Sequence, residues 1–323
     1  MGAVEIPDNV WLAPMAGYTD AAFRSVCVSH GVSLCFTEMV SADALSRDNA
    51  LTLRLLTRAP NEARLGFQIF ASEPRTAAAA VRRIAPMGPT LIDLNCGCSV
   101  PKVLKTGCGA ALLRSPRAIG AIIAAMRAET DIPLSVKLRS GWDASSINFR
   151  ECAEEAVAAG ALLVTLHART RSQGFSGRPC RDHIRVLKES CPVPVVGSGD
   201  LFSAVDCRLM LDRTGCDAVM IARGCLGNPF IFQQTKALLA AGNAQPDSSA
   251  QQRIDARERL TAAIQQLRVL AASVGEAKAC RDMRKHFAAY TKGLESAATI
   301  RQCAMQAETI ADYEDIVESY LRA

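Results

Sequence analysis

The stretch LSVKLRSGWDASSINFRECAEEAVAAGALLVTLH, residues 134–167, contains two apolar runs with an amphipathic run between them. Leu134–Leu138 and Leu162–His167 are short and largely apolar on both faces, which is typical of parallel strands covered by helices. Phe149–Ala158 has the apolar spacing of a helix. Because a helix between two strands lets them run in the same direction, this stretch predicts a parallel β/α sheet.

The same alternation extends in both directions, from Val10 to about Ala240. The strands that it predicts are Val10–Pro14, Leu34–Met39, Leu65–Phe70, Thr90–Asn95, Leu134–Leu138, Leu162–His167, Val193–Gly197 and Ala218–Ala222. About eight strand–helix units in roughly 200 residues match a closed (β/α)8 barrel. The competing architecture, a doubly wound open sheet, normally has a Gly-x-Gly-x-x-Gly turn after its first strand, and Leu12–Gly17 (LAPMAG) lacks that turn. We therefore predict a TIM barrel over residues 1–241 as the catalytic domain.

The chain beyond the barrel is predicted to be helical. A polar, turn-rich linker runs from Ala241 to Ser249. The helical segments after it are Ile254–Ala272, Ala277–Lys292, Ala297–Glu308 and Tyr313–Leu321. Because they have no strand-like alternation, we predict a small helical bundle over residues 250–323 as a second domain.

Composition and cysteine usage limit the class of protein. The 323 residues are 49% hydrophobic and 21% charged, which excludes a disordered chain. No apolar run reaches the ~18 residues of a membrane helix, and the first residues lack the pattern of a secretory signal. The 13 irregularly spaced cysteines favour a reducing cytoplasm over a disulfide framework, and Cys96 and Cys98 are too close together for a zinc-type pair, so we expect no metal site. The net charge of +5 is compatible with a nucleic-acid partner but is common among other enzymes.

Polar side chains follow most of the predicted strands at their C-terminal ends. They are Thr37-Glu38, Gln68, Asp93 and Asn95, Lys137 and Arg139, His167–Arg171, Ser198–Asp200 and Ala222–Gly224. In a barrel these strand ends face the active site. Since a buried polar group without a partner costs roughly 1–3 kcal/mol, so many of them converging on one face predicts a functional site.

The turns after the last two strands indicate a phosphate site. Ser198-Gly199-Asp200 and Ala222-Arg223-Gly224 occupy the place where barrels commonly bind phosphate through backbone N–H groups. Either glycine alone is equally consistent with an ordinary tight turn. The two turns together, with Arg223 as a charged donor, favour a phosphorylated cofactor.

Three strand-end residues suit a flavin ring. Lys137 is a cation for an anionic ring, Gln68 matches a planar imide edge, and His167 offers a further hydrogen bond. Lys137 has an alternative, an ion pair with Glu38. Cys98 lies in a glycine turn just past the fourth strand, and from the residues alone it is a nucleophile, a general acid or an inert loop cysteine.

Several ordered motifs of this chain resemble the flavin-dependent tRNA-dihydrouridine synthases, over nearly its whole length. The segments that carry the resemblance are Leu12–Asp20 (LAPMAGYTD), Asp93–Cys98 (DLNCGC), Val100–Val103, Gly107–Ala110, His167–Arg171 (HARTR) and Arg223–Pro229. Two positions depart from the family pattern: Ser99 stands where proline usually follows the cysteine, and Ser198 stands where asparagine is usual. We expect Ser99 to loosen its loop and the Ser198 hydroxyl still to donate to the cofactor.

The resemblance implies an FMN cofactor, NADPH as the reductant and tRNA as the substrate. It assigns the cofactor to Pro14, Met15, Ala16, Gln68, Lys137, His167, Ser198, Gly199, Asp200, Ala222, Arg223 and Gly224. It implies that Asn95 and Arg169 hold the target uracil, that Arg171 contacts the substrate, and that Cys98 is the general acid. In this scheme the flavin delivers hydride to uracil C6 and Cys98 protonates C5, on a base that has left its stack.

The tail carries a basic stripe at near-helical spacing. Lys278, Arg281, Arg284, Lys285 and Lys292 lie on one side of the predicted helix, and Met283, Phe287 and Tyr290 lie on another. Such a stripe is either a solvated face or a phosphate-binding face, and beside an RNA-modifying barrel we predict the second. The segments RKH (284–286) and KGL (292–294) resemble the bacterial B-type branch. That branch implies a D-loop uridine, position 17 first, and we expect a monomer.

Two other functions remain open from the sequence. One is an FMN barrel reductase for a small molecule such as dihydroorotate or an enone, which leaves the basic tail unexplained. The other is a non-catalytic RNA-binding protein that kept the fold, which predicts a colourless protein.

Overall fold

A computed structural model of the chain describes residue 6 and residues 8–47, 49–242 and 254–322. The strands in these ranges are β1 (Val10–Leu12), β2 (Cys35–Phe36), β3 (Val40–Ser41), β4 (Leu65–Phe70), β5 (Leu91–Cys96), β6 (Leu134–Arg139), β7 (Leu163–His167), β8 (Val195–Ser198) and β9 (Ala218–Ile221). All are parallel, in the order β1-β9-β8-β7-β6-β5-β4-β2, with β3 also paired to β4. The Leu12 N–H donates to Leu34 O at 3.1 Å and joins the two ends of the sheet. The predicted TIM barrel is confirmed.

The second strand is shorter than predicted. Leu34–Met39 was expected as one strand, whereas β2 and β3 are separate pieces that both pair with β4. Between them, the Thr37 N–H donates to Gly66 O at 2.9 Å and its hydroxyl accepts from the Gln68 N–H at 3.1 Å. A side chain therefore replaces a backbone partner here, which interrupts the strand.

Helices cover the outside of the barrel. They are α1 (Ala21–Ser29), α2 (Ala42–Ser46), α3 (Ala50–Arg54), α4 (Pro74–Ile84), α5 (Pro101–Leu104), α6 (Pro116–Arg127), α7 (Phe149–Ala158), α8 (Arg181–Ser190), α9 (Ala204–Thr214) and α10 (Ile231–Ala240), with 3-10 turns at Ala85–Met87, Gly109–Arg114 and Arg223–Cys225. On α6, Ile119, Ile122, Ile123 and Met126 are fully buried at helical spacing. The outward faces of the strands and the inward faces of these helices form one apolar core.

Alternation along each strand separates the core from the barrel interior. On β6, Leu134, Val136 and Leu138 belong to the outer core, so Lys137 and Arg139 point inward. The lower interior is closed by an apolar cluster that includes the fully buried Trp11. The polar inward residues therefore lie above this apolar cluster, at the carboxyl ends of the strands.

The tail forms four helices, α11 (Ala256–Val274), α12 (Glu276–Tyr290), α13 (Ala297–Gln306) and α14 (Ile310–Arg322). Asp255 caps α11 by accepting from the Glu258 N–H at 2.7 Å. The predicted linker lies outside the described residues from position 243 onward. No helix in the described ranges combines the length and the apolar character needed to cross a bilayer.

The tail packs directly on the barrel. Ala22 and Val26 of α1 lie in the same apolar cluster as the tail helices. Gly227, in the loop after β9, has a φ of +68°, and a Cβ there would come within 2.3 Å of the Ala289 backbone of α12. This close backbone approach holds α12 beside the mouth of the barrel.

Candidate active site

A cavity of about 470 Å³ opens at the carboxyl ends of the strands, within the size range of cofactor sites. The predicted site residues that line it are Pro14, Met15, Ala16, Gln68, Asn95, Cys98, Lys137, His167, Ser198, Gly199, Asp200, Ala222, Arg223 and Gly224. Every residue assigned to the cofactor, together with the proposed acid, is therefore brought to one cavity. Arg169, Arg171 and the tail cations do not line it.

A chain of hydrogen bonds starts at a carboxylate in the barrel interior. Asp93 is 1% exposed and accepts from Ser135 Oγ at 2.5 Å and from Gln68 Nε2 at 2.7 Å. Gln68 Oε1 in turn accepts from Asn95 Nδ2 at 2.8 Å. Because a carboxylate only accepts, it sets the direction of the Gln68 amide, which then sets that of Asn95.

The chain of hydrogen bonds that starts at Asp93 ends at the turn that carries Cys98. Asn95 Oδ1 accepts from the backbone N–H groups of Gly97 at 3.1 Å and Cys98 at 2.9 Å. Arg139 Nε donates to Gly97 O at 2.8 Å, and the Ala110 N–H donates to Cys98 O at 2.9 Å. Asn95 is therefore a support of the cysteine turn, and its remaining amide hydrogen faces only Met39 Sδ, at 3.6 Å.

Cys98 is half-buried, and its burial raises the pKa of the thiol above its ordinary value. The Val100 N–H and the charges of Arg139 and Lys137 act in the opposite direction and are the smaller influence on the pKa. A thiol in this state is protonated at neutral pH, so it suits proton donation rather than attack as a thiolate.

Lys137 places a cation in the cavity. In the part of the chain that the structure describes, its ammonium has no ion pair or hydrogen bond, and burial followed by the charge of Arg139 lowers its pKa to about 8. Glu38, the alternative partner, accepts from the Gly17 N–H instead. An unpaired, partly desolvated ammonium fits an anionic ring beside it.

The two predicted phosphate turns lie against each other. A Cβ on Gly224 would come within 1.9 Å of Leu201 O, so only glycine allows this approach. Arg223 donates to Asp200 at 2.8 Å and lies 4.5 Å over the Phe175 ring. The Ser198 hydroxyl donates to Met220 O at 3.0 Å, rather than being free for a cofactor as expected.

Arg169 lies beneath the cavity wall. It is 1% exposed, pairs with both oxygens of Asp200 at 2.9 and 2.6 Å and donates to Ser176 O at 3.2 Å. Its predicted contact with uracil would require these bonds to be exchanged. Arg169 Nη1 also lies 3.4 Å from His167 Nε2, and since a guanidinium only donates, the His167 proton is on Nδ1. Burial and four neighbouring cations lower the pKa of His167 well below its ordinary value, so the ring is neutral.

The basic stripe of the tail is only partly as predicted. Lys278, Arg281 and Lys285 are exposed on one face of α12, but Lys278 pairs with Asp282 and Arg284 is half-buried. Met283, Phe287 and Tyr290 are buried, as expected for the core face of the helix. The Lys285 ammonium lies 5.4 Å from the ring of Tyr18, which lines the cavity. The tail therefore brings a cation to the cavity mouth.

Four of the residues for which no function was predicted contribute a charge or a ring contact at the site. Asp93 and Arg139 stood among the strand-end residues, and their inward alternation with Asn95 and Lys137 was the available signal. Tyr18 and Phe175 also line the cavity; Tyr18 stands in the LAPMAGYTD segment but had no predicted role of its own, and no pattern in the sequence distinguished Phe175.

The comparisons with known proteins agree with this geometry. A sequence model of the family described as "Dihydrouridine synthase (Dus)" matches residues 11–323. A probable tRNA-dihydrouridine synthase of Treponema pallidum is 40% identical over 98% of this chain and 94% of that protein. The tRNA-dihydrouridine synthase B of Shewanella oneidensis is 34% identical over 99% of this chain and 97% of its own length. In fold alone, histamine dehydrogenase from Rhizobium sp. 4-9 is similar, with a TM-score of 0.57 and 15% identity over 82% of this chain and 49% of that chain.

The family match covers almost the whole chain, and relatives above 30% identity extend over both the barrel and the tail. The resemblance inferred from the motifs is thereby confirmed. The chain belongs to the dihydrouridine synthase family.

Proposed function

We propose that this protein is a tRNA-dihydrouridine synthase that uses FMN, reduced by NADPH, to saturate the C5=C6 bond of a D-loop uridine. The observation that carries the proposal is the cavity itself, in which the protonated Cys98 thiol and the unpaired Lys137 ammonium line the same space. The names of the relatives, which are tRNA-dihydrouridine synthases, support the substrate.

The cavity residues fit a flavin mononucleotide. Lys137 would lie beside the N1–O2 side of the ring, and Gln68 Oε1 retains one lone pair for the pyrimidine edge. Gly199, Gly224 and Arg223 would hold the phosphate. When bound, the flavin supplies the hydride for uracil C6.

The protein residues would supply the proton and the positioning. Cys98 donates its proton to uracil C5, and Arg139, Lys137 and the Val100 N–H stabilise the thiolate that remains. Asn95 keeps the cysteine turn in place, and its second amide hydrogen, which contacts Met39 Sδ in the structure, would donate to a uracil oxygen instead. We expect the protein to act as a monomer in the cytoplasm, with position 17 as the first uridine to test.

The decisive experiment measures dihydrouridine by mass spectrometry in an unmodified tRNA transcript after incubation with the purified protein and NADPH. We expect the protein to show flavin absorbance and the transcript to gain two mass units per reduced uridine. A colourless protein that binds tRNA would favour the non-catalytic alternative. Reduction of dihydroorotate-like substrates or enones without any reduction of tRNA would favour the small-molecule reductase.

Removing two cations of the tail should weaken tRNA binding. In the double variant Arg281→Ala/Lys285→Ala we expect the Kd for tRNA to rise about tenfold or more, and the slope of log Kd against log salt to fall by about two, because each phosphate contact contributes about one. Fluorescence anisotropy with labelled tRNA at several salt concentrations measures both quantities. The exposed Arg47, which follows α2 on the barrel, supplies the control Arg47→Ala. An equal rise of the Kd in the double variant and in Arg47→Ala would contradict a specific role for α12.

A further inference from the structure

Trp142 follows β6 at the same end of the barrel as the cavity, and its ring contacts two arginines. The guanidinium carbon of Arg114 lies 3.5 Å from the ring centroid, and that of Arg171 lies 4.4 Å from it. Two guanidinium groups this close to one centroid would overlap on a single face, so they lie on opposite faces of the ring. We call Arg114, Trp142 and Arg171 the Trp142 stack.

No ion pair neutralises the two charges of the Trp142 stack in the part of the chain that the structure describes. Within residues 8–47, 49–242 and 254–322, neither guanidinium forms an ion pair or a side-chain hydrogen bond. The nearby Asp143 carboxylate instead accepts from the hydroxyls of Ser145 at 2.7 Å and Ser146 at 2.8 Å. Like charges held on one ring repel each other, and a bound anion would relieve that repulsion.

Backbone hydrogen bonds hold the loops that carry the Trp142 stack. The Arg171 N–H donates to Gly141 O, and the Ser172 N–H donates to Trp142 O, both at 2.9 Å, which joins the loops after β6 and β7. Arg114 ends the 3-10 turn Gly109–Arg114, whose Ala110 is bonded to Cys98 O. The backbone that carries the stack is therefore preorganised to bind an anion, and it is connected by a hydrogen bond to the segment that carries Cys98.

The Trp142 stack and the tail lie on different sides of the cavity mouth. Around the closed barrel β6 occupies the fifth position, whereas Tyr18 follows β1 in the first position and is contacted by Lys285 of α12. In a ring of eight positions the first and the fifth are opposite. A polyanion that enters the cavity from above would thus meet cations on both sides.

We propose that the Trp142 stack is a second contact for the RNA backbone, which binds phosphates of nucleotides that flank the target uridine. The inference rests on the proposed function, because it needs a tRNA in the cavity. Guanidinium groups bind phosphate through paired N–H donors, and stacking on an aromatic ring leaves those edges free. Since both ring faces are covered, Trp142 orients the arginines and is not a platform for a base.

The test compares the Kd for an unmodified tRNA transcript at several salt concentrations among four proteins. They are the wild type, Arg114→Ala, Trp142→Leu and the matched control Arg185→Ala on the outer helix α8, where Arg185 pairs with Asp182 and Glu189. For Arg114→Ala we expect a five- to tenfold higher Kd and a salt slope lower by about one. For Trp142→Leu we expect a higher Kd with an unchanged slope, because both charges remain. Melting temperatures and bound flavin identify any variant that fails to fold.

The outcomes separate the inference from the proposed function. If the wild type binds tRNA and Arg114→Ala has the same Kd and slope, the Trp142 stack is not an RNA contact, although the proposed function stands. If Arg185→Ala weakens binding as much as Arg114→Ala, the effect is one of net charge and the inference is overturned. If the wild type neither binds nor reduces tRNA, the proposed function itself fails.

Discussion

Cys98→Ala is expected to lower the rate of dihydrouridine formation on tRNA by about 10²- to 10⁴-fold, the usual contribution of a positioned general acid. The thiol lines the cavity, and its raised pKa keeps it protonated at neutral pH. An alanine leaves uracil C5 with water as its only proton source. Cys98→Ser should be almost as slow, since an aliphatic hydroxyl is a far weaker acid than a thiol.

The measurement is a single turnover in which reduced enzyme is mixed with excess tRNA and flavin reoxidation is followed under anaerobic conditions. Cys180 offers a matched control because it is exposed and lies outside the cavity, so Cys180→Ala should react at the wild-type rate. Flavin absorbance and the melting temperature verify that each variant is folded. Wild-type rates in Cys98→Ala would remove Cys98 from the chemistry and leave another group as the proton donor.

The fold was predictable because its pattern is repeated. Each strand is short and apolar on its outer face, and the helices between the strands have clear apolar spacing. The predicted limits of Leu65–Phe70 are therefore the same as those of β4. The prediction of the second strand was wrong because the hydrophobic pattern could not show that the Thr37 hydroxyl accepts a hydrogen bond from the Gln68 N–H. Competition between a side chain and a backbone partner leaves no trace in hydrophobic periodicity.

The site residues that lie within strands could be predicted from the sequence. Gln68, Asn95, Lys137 and His167 lie within strands, where alternation directs them inward. Arg169 is only two residues beyond the end of β7, but its N–H donates back to His167 O at 2.7 Å in a tight turn, which breaks the alternation. The side chain consequently lies under the wall of the cavity rather than in it.

Contacts between segments that are distant in the sequence could not be predicted. Trp142 meets Arg114 and Arg171 only because three separate loops converge at the barrel rim. Asp200 joins Arg169 to Arg223 across two strand ends, with a φ of 49° that few residues other than glycine adopt. Arg169, Asp200 and Arg223 were each predicted as site residues, but their mutual contacts depend on the register of the strands and on the path of the loops.

Asp93 is the residue whose replacement should have the largest effect without touching the substrate. Its carboxylate orients the Gln68 amide, and through it Asn95 and the cysteine turn. In Asp93→Ala, Gln68 Nε2 loses its acceptor, both amides are free to turn, and Cys98 loses the fixed carbonyl that holds its N–H. A displacement of the acid by about 1 Å costs on the order of 10² in rate, so we expect kcat to fall about 100-fold with a smaller change in KM.

Asp93→Asn separates this positioning role from simple support of the core. An asparagine can accept from Gln68 through Oδ1 and donate to the Ser135 hydroxyl through Nδ2, so the chain of hydrogen bonds persists and most of the activity should remain. Burial raises the pKa of Asp93 to about 6, above its ordinary value, with Ser135 and Gln68 acting to lower it. Protonated Asp93 has the same pattern as asparagine, with a carbonyl oxygen that accepts from Gln68 and an O–H that donates to Ser135, so the chain of hydrogen bonds should persist and the kcat of the wild type should change little as the pH falls through about 6.

The measurement is the pH profile of kcat for the wild type, Asp93→Asn and Asp93→Ala. The profiles of the wild type and Asp93→Asn should show no step near pH 6, whereas Asp93→Ala should be about 100-fold slower at every pH. A role confined to core stability would lower the melting temperature of both variants and leave kcat near the wild-type value, and an acid limb near pH 6 that is lost in Asp93→Asn would show that the ionised carboxylate is required. Asp93→Ala with a kcat near that of the wild type would show that the cysteine turn is held by Arg139 and Ala110 alone.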